Sequence, residues 1–119
     1  MCKTCRRAVK KISYHCWTCN RCVENLDHHC KYLNNCIGQR NYNSFFRMLC
    51  CVSLYLIVSI AIGLWIFVVG LNDSNIDSLT FSKWLGLVFS LLSLGLFIVV
   101  QTLLWFHCYI SCYLKMTTI

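Results

Sequence analysis

The first 36 residues hold most of the side chains that could do chemistry. Seven of the eleven cysteines and three of the four histidines lie in the range Cys2–Cys36. Two closed tetrahedral zinc sites need eight Cys or His ligands. Ten candidates less eight leaves one cysteine and one histidine over, and we expect this spare pair in the tetrad Asp27–Cys30, which reads Asp-His-His-Cys. A cysteine with a base and a carboxylate beside it has the composition of an activated nucleophile.

The spacing of these cysteines indicates metal binding. Cys2 and Cys5 are separated by two residues, as are Cys16 and Cys19, and this is the spacing of a zinc knuckle. The remaining ligands are predicted to be His15, Cys22, His29 and Cys36. The residues alone leave open which ligands share an ion, and whether the spare cysteine is Cys30.

Eleven cysteines in a short chain would also suit a secreted disulfide scaffold. The chain opens on Met1, Cys2 and a basic segment rather than on a signal peptide, which disfavours secretion. Residues 1–36 offer few apolar side chains, and segments below about 40 residues usually need metal or disulfides to fold. Structural zinc contributes an apparent stabilisation of about 10–16 kcal/mol per ion. We therefore expect this segment to fold around its ions.

The rest of the chain is apolar and predicts two membrane-spanning helices. Residues 48–71 carry no charged side chain over 24 positions, which is about 36 Å of helix and enough to cross a hydrocarbon core of about 30 Å. A second uncharged run, 84–114, is longer than a bilayer needs, so its end from about Phe106 should project beyond the membrane. A buried core helix is the alternative for the first run, but the chain has no soluble domain to bury it.

Shorter segments connect these parts. Residues 37–47 are predicted to be a juxtamembrane linker, in which Asn43 or Ser44 caps the following helix. Its aromatic residues suit an interfacial belt, and they are Tyr42, Phe45 and Phe46. The predicted order is a cysteine-rich domain (1–36), the linker (37–47), a span (48–71), a lumenal loop (72–83), a second span (84–106) and a cytosolic tail (107–119).

The basic residues predict the orientation of the chain. The net charge is +7, and nine of the eleven Lys and Arg residues fall in residues 1–47. The positive-inside rule then places both ends in the cytosol and the 72–83 loop outside it. Cytosolic thiols stay reduced, which again favours metal over disulfides. The positive charge is assigned to orientation and anionic ligands, and no nucleic-acid partner is expected.

Some residues inside the predicted spans or at their cytosolic ends also attract attention. Gln101 is expected to hydrogen-bond to a neighbouring helix. Close helix approach is allowed by four glycines, which are Gly63, Gly70, Gly86 and Gly95. His107 with Cys108 and Cys112 could suggest a metal site, but this group lacks a fourth ligand.

The order and spacing of the cysteine-rich residues carry a family resemblance. The pattern is Cys2-x2-Cys5-x9-His15-Cys16-x2-Cys19-x2-Cys22-x4-Asp27-His28-His29-Cys30-x5-Cys36, followed by Ile37-Gly38 and Asn41-Tyr42. It resembles the cysteine-rich domain of the DHHC-type protein S-acyltransferases, or palmitoyltransferases. Thr117-Thr118-Ile119 is similar to the start of that family's T-T-x-E motif.

The resemblance implies a membrane protein in which a small two-zinc cysteine-rich module is followed by two transmembrane α-helices. Relative to the family's four or more spans, the first two spans, the T-T-x-E glutamate and the cytosolic tail are expected to be missing. By position, one Zn²⁺ would be bound by Cys2, Cys5, His15 and Cys22. The other would be bound by Cys16, Cys19, His29 and Cys36.

The implied function is protein S-palmitoyl transfer from acyl-CoA, typically palmitoyl-CoA, through an acyl-Cys30 intermediate to a cysteine of a protein substrate. His28 would be the base, and Asp27 would orient it. The implied partners are the lipid bilayer, acyl-CoA and protein substrates with cytosolic cysteines, at the Golgi, the endoplasmic reticulum or the plasma membrane. The alternative is a catalytically inactive, zinc-binding membrane adaptor.

Three further residues are predicted to contact acyl-CoA. Lys31 and Arg40 are candidates for the CoA phosphates. Tyr55 lies nine residues beyond Phe46, or about 13–14 Å along a helix, which is close to the midplane of a hydrocarbon core of about 30 Å. It is therefore predicted to help set the depth of an acyl cavity.

Overall fold

The computed structural model describes residues 2–72 and 76–113, with the side chains of 81–109 in the second range. Four short strands precede two long helices. They are β1 (Ser13–Cys16), β2 (Arg21–Glu24), β3 (His28–Cys30), β4 (Asn35–Ile37), α1 (Tyr42–Asn72) and α2 (Ile76–Tyr113). The strands pair as two separate antiparallel hairpins, β1–β2 and β3–β4. The predicted fold class, a module with two zinc-type clusters before two membrane-length helices, is confirmed.

The cysteine-rich module buries cysteines rather than large apolar side chains. Cys16 and Cys36 are buried, whereas Tyr14, Trp17 and Tyr32 are exposed. Hydrophobic burial normally supplies most of the free energy of folding. A module that leaves its aromatic residues in solvent therefore needs another source of stability, and metal–thiolate bonds are the one its composition offers.

Asn41 joins this module to α1. Its Oδ1 accepts the N–H of Gly38 and its Nδ2 donates to the carbonyl of Cys36, both at 2.9 Å. Its own carbonyl accepts the N–H of Phe45 at 2.9 Å, so the helix begins directly after it. The predicted caps Asn43 and Ser44 are therefore already inside α1. A Cβ on Gly38 would lie 2.8 Å from the carbonyl oxygen of Glu24, which explains the glycine in this turn.

Small and polar side chains hold α1 against α2. A Cβ on Gly63 would lie 2.7 Å from the carbonyl oxygen of Gly86, so the two backbones touch. Ser53 Oγ donates to Gln101 Oε1 at 2.9 Å, which confirms the predicted interhelical role of Gln101. Gly70 packs against Lys83, whereas no atom of the described residues lies within 4 Å of a Cβ placed on Gly95, so Gly95 does not bring α1 and α2 together as predicted.

The outer faces of both helices are apolar and uncovered. Leu92 is 66% exposed and Trp105 is 73% exposed. The membrane-length stretches are Tyr42–Asn72 and Phe81–Tyr109, and they contain 18-residue windows with mean hydropathies of 2.6 and 2.4, respectively. A core helix of a soluble protein would bury most of its apolar surface, whereas these helices bury little of theirs. The chain is a membrane protein.

The helices extend beyond the predicted spans. α1 begins six residues before position 48, and α2 begins at Ile76, within the segment predicted as the 72–83 loop. The reason is that polar residues show where a chain leaves the hydrocarbon, not where a helix ends. The T-T-x-E-like residues 117–119 lie outside the described residues.

Candidate zinc sites and catalytic group

The first metal-type cluster joins Cys2, Cys5, His15 and Cys22, whose ligand atoms all lie within 4.8 Å of one another. His15 Nδ1 lies 3.2–4.0 Å from the three sulfur atoms. Tetrahedral zinc with bonds of about 2.0–2.3 Å spaces its ligands roughly 3.3–3.8 Å apart. Three soft thiolates and one imidazole around such a centre suit zinc.

The second cluster repeats this arrangement with Cys16, Cys19, His29 and Cys36. His29 Nδ1 lies 3.2–3.8 Å from its three sulfurs. Cys16 and Cys36 are buried, so this cluster is the better enclosed of the two. It also lies next to the strand that carries His28 and Cys30.

The thiols within each cluster compete for protons. A hydrogen bond from the backbone N–H of Cys5 lowers the pKa of Cys2 to about 6. The hydrogen bond with Cys2 raises the pKa of Cys22 to about 12. Burial, followed by hydrogen bonds with Cys19 and Cys16, raises the pKa of Cys36 to about 12. A divalent cation neutralises adjacent thiolates and lets all three ionise, which is the chemistry of a structural zinc site.

A 14-residue repeat explains which ligands share a cluster. Each ligand of the first cluster recurs 14 positions later in the second: Cys2 and Cys16, Cys5 and Cys19, His15 and His29, Cys22 and Cys36. In each repeat the histidine and the last cysteine are cross-strand partners in a hairpin, His15 with Cys22 and His29 with Cys36. The second knuckle, Cys16-x-x-Cys19, closes the first hairpin, and this interleaves the two clusters.

The same period places Cys30 in a third turn of the same kind. Antiparallel pairs close the three turns, and they are Cys2 with Arg7, Cys16 with Arg21, and Cys30 with Asn35. In each turn the residue four positions after the first cysteine has a positive φ, and these residues are Arg6 (51°), Asn20 (49°) and Asn34 (46°). In the third turn Leu33 replaces the second cysteine. Cys30 therefore occupies a knuckle position without a knuckle partner.

Leu33→Cys is expected to restore that partner. In the two complete turns the N–H of the second cysteine lies 3.5 and 3.4 Å from the sulfur of the first, so paired thiols are close. Leu33 is 44% exposed and should tolerate the change. We expect alkylation of Cys30 by a maleimide to fall about tenfold in oxidised protein and to recover with reductant. Leu33→Ser is the matched control, and a Leu33→Cys protein with unchanged alkylation would contradict the shared turn geometry.

Strand β3 separates the two neighbouring histidines. Successive side chains of a strand point to opposite faces, so His28 and Cys30 share one face and His29 takes the other. His29 points to the sulfurs of the second cluster. His28 and Cys30 point to the helices: the His28 ring lies 5.4 Å from that of Phe45, and Cys30 packs in one cluster with residues of α1.

Asp27 and His28 form a hydrogen-bonded pair. His28 Nδ1 lies 2.8 Å from Asp27 Oδ2. The N–H of Asp27 donates to the carbonyl of Ile37 at 2.9 Å, which fixes the carboxylate at the edge of the β3–β4 hairpin. With Nδ1 bound to the carboxylate, a neutral His28 has its lone pair on Nε2 and is ready to accept a proton.

Cys30 is buried among apolar residues. Its neighbours in the cluster are Ile37, Tyr42, Phe45 and Leu49, with Met48 and Leu104 packed against them. Among the described residues, Cys30 belongs to none of the groups that could hold a metal ion. It is thus a free thiol at the junction of the module with both helices.

Sequence reasoning missed the contact of His107 with the Asp27–His28 pair. This residue of α2 is 1% exposed, and its ring lies 5.9 Å from that of His28. Ligand atoms of Asp27, His28 and His107 all lie within 4.8 Å of one another. Tyr42 OH and His107 Nδ1 share a hydrogen bond of 3.1 Å. A titratable side chain inside a membrane span is a functional candidate by default, and this signal could have identified His107.

The aromatic belt predicted for the linker is therefore partly wrong. Tyr42 and Phe45 are buried against β3 and α2 instead of lying at the bilayer surface. The reason is that α1 starts at Tyr42, which turns positions 42, 45 and 49 to one face of the helix. The metal group of His107 with Cys108 and Cys112, which the sequence already disfavoured, is not seen among the described residues; His107 groups with Asp27 and His28 instead, and the side chain of Cys112 lies outside the described residues.

The three residues predicted to contact acyl-CoA do not line one common cavity. Lys31 and Arg40 are both exposed. Arg40 lines a cavity of about 470 Å³ together with Lys10 and Arg21, and Lys31 does not line it. Tyr55 is 66% exposed on α1, outside the interface with α2.

Comparison with known families gives a match that runs from the first to the last residue of the given sequence. The family model described as DHHC palmitoyltransferase matches residues 1–119. Comparison with curated proteins found no match.

Proposed function

This chain belongs to the DHHC palmitoyltransferase family, and on that premise we propose that it is a protein S-palmitoyltransferase with Cys30 as its nucleophile. One observation carries the assignment to Cys30. Eight of the Cys and His residues of the module are gathered in two metal-type clusters, whereas His28 and Cys30 share the opposite face of β3, beside Asp27. The module thus separates its structural ligands from one nucleophile with a base.

The first step is formation of an acyl-enzyme. His28 Nε2 takes the proton of the Cys30 thiol, and the thiolate attacks the carbonyl carbon of the acyl-CoA thioester. The bond between that carbon and the CoA sulfur breaks, and the CoA thiolate leaves with the proton held by His28. Asp27 keeps the His28 ring oriented through Nδ1 and stabilises its positive charge, at the observed 2.8 Å.

The second step transfers the acyl group to the protein substrate. The substrate cysteine gives its proton to His28 and attacks the acyl-Cys30 carbonyl carbon. The Cys30 thiolate leaves and is reprotonated, so the enzyme returns to its starting state. One thioester is exchanged for another in each step, and no oxidant or additional reactant is needed.

The membrane supplies the binding energy for the acyl chain. A palmitoyl chain has fourteen methylenes, and at about 0.8 kcal/mol each their burial is worth roughly 11 kcal/mol. Cys30 shares a buried cluster with residues of α1, and Leu104 of α2 packs against that cluster, so an acyl group on the Cys30 sulfur would start beside the apolar surfaces of both helices. Tyr55, farther along α1, is proposed to lie near the far end of this chain.

We propose cations for the CoA part and zinc for the module. Lys31 follows the nucleophile directly and Arg40 precedes α1 by two residues, so both would lie at the membrane surface where the CoA phosphates remain in water. Two Zn²⁺ ions would hold the module together without taking part in the reaction. The basic module would face the cytosol, where acyl-CoA and substrate cysteines are available.

The test is labelling of the wild-type protein in membranes with an alkyne analogue of palmitate. We expect a thioester label that hydroxylamine removes, at one site per chain, because Cys30 is the one module cysteine outside the metal clusters. A bare zinc-binding membrane adaptor, the rival function, would keep both clusters and both helices but take no such label. Absence of label on zinc-loaded, membrane-inserted protein would therefore favour the adaptor.

A further inference from the structure

We propose that His107 is a positioning residue for the acyl transfer, linking α2 to the Asp27–His28 pair. The inference rests on the proposed function and deepens it. His107 is a titratable side chain within an apolar membrane-length stretch, and it is 1% exposed. Burying an imidazole there costs free energy unless polar partners compensate. A buried histidine in this apolar stretch therefore indicates a specific functional role.

Besides its chain neighbour Phe106, the described partners of His107 lie at the start of α1 or on the face of β3 that carries His28. Tyr42 OH shares a 3.1 Å hydrogen bond with Nδ1. The rings of His28 and Phe45 lie 5.9 and 5.2 Å away, centre to centre. The ligand atoms of His107, His28 and Asp27 fall within 4.8 Å of one another. One side of the His28 ring is thus bounded by His107 and another by Phe45.

This arrangement restricts the orientation of His28. The Asp27 bond fixes one ring nitrogen but leaves the ring free to swing about the Nδ1–Oδ2 direction. Contacts with His107 and Phe45 restrict that swing, so that Nε2 keeps its direction. His107 is itself held by Tyr42, at the first turn of α1. Both helices therefore contribute to placing the base, and a misplacement near 1 Å can cost about 100-fold in rate.

The test compares variants of His107 and Tyr42 in the membrane-inserted, zinc-loaded protein. His107→Leu keeps the apolar volume but loses the hydrogen bond, and we expect kcat for Cys30 acylation to fall at least about tenfold. KM for palmitoyl-CoA should change less than about twofold, because His107 positions the base and does not bind the substrate. His107→Asn, which can place an amide near the position of Nδ1, should lose less than about threefold.

Tyr42→Phe tests the same link from α1. It removes only the hydroxyl, and its loss should be similar to that of His107→Leu. The variant that carries both Tyr42→Phe and His107→Leu should be no slower than the slower of the two single variants. The reason is that each change breaks the same hydrogen bond.

The matched control is Gln101→Leu. It breaks another interhelical hydrogen bond, between Ser53 and Gln101, six residues away on the same helix. We expect its acylation rate to stay within about twofold of wild type. Equal losses in Gln101→Leu and His107→Leu would show that the contact only packs the helices, and would overturn the inference while leaving the proposed function intact. A wild-type protein that takes no label would overturn both.

Discussion

Cys30→Ser is expected to abolish the thioester label while both zinc ions stay bound. Cys30 shares its strand face with His28 and packs against α1, away from both metal clusters. A serine hydroxyl is nearly isosteric but is a far weaker nucleophile than a thiolate. The label should therefore fall by about 100-fold or more, to the background of the assay. The measurement is label per chain beside zinc per chain in the same preparation.

Other cysteines serve as the controls for Cys30→Ser. Cys50 and Cys51 lie near the start of α1, one half-buried and one exposed, and either thiol could be acylated by chemical reaction with acyl-CoA. The double change Cys50→Ser/Cys51→Ser should keep the label. If it removes the label and Cys30→Ser does not, the nucleophile has been assigned to the wrong cysteine. A zinc ion lost in Cys30→Ser would place Cys30 among the ligands.

The residue types alone predicted eight ligands, but only the resemblance sorted them into sites. The 14-residue period, which relates Cys2 to Cys16 and His15 to His29, would have sorted them without it. Equal spacing predicts equal local folding, and the structure has the same hairpin pairing in both repeats. The period also shows why Cys30 is spare. Its turn is built like the other two but has Leu33 where they have a second cysteine.

The role of His107 could not be predicted from local patterns. His107 shares a hydrogen bond with Tyr42, which is 65 residues away in the chain. This contact forms because α1 and α2 pack along their length, so that the end of α2 lies next to the module. Hydropathy predicts that both helices exist, but it does not determine which face of α2 meets β3. That face is selected by Gly63 against Gly86 and by Ser53 against Gln101, and these contacts depend on the register between the helices.

Because the start of α1 was predicted too late in the chain, the positions of the aromatic residues next to Cys30 were predicted wrongly as well. The uncharged run begins at position 48, so the preceding aromatic residues were expected at the bilayer surface. Asn41 instead ends the β4 turn and opens the helix at Tyr42. The additional turns direct Tyr42 and Phe45 to Cys30, His28 and His107. Side-chain hydrogen bonds, rather than hydropathy, set where this helix begins.

The adjacent histidines His28 and His29 should give opposite zinc contents when each is changed to alanine. His29 Nδ1 faces three sulfurs of the second cluster, so His29→Ala should leave one zinc ion per chain instead of two. His28 Nδ1 faces Asp27, so His28→Ala should keep both ions. Loss of the base in His28→Ala should slow acylation by about 100- to 10,000-fold.

The comparison is informative because the two residues are neighbours on one short strand. A general disturbance of β3 would affect both variants alike, whereas strand alternation predicts that only one loses metal. Cys19→Ser provides the matched ligand variant: it should lose the same single ion as His29→Ala, since both belong to the second cluster. Cys22→Ser should lose the ion of the first cluster, with His29 still bound to metal. If His28→Ala loses zinc and His29→Ala keeps both ions, the two faces of β3 have been assigned the wrong way round, and the base must be His29.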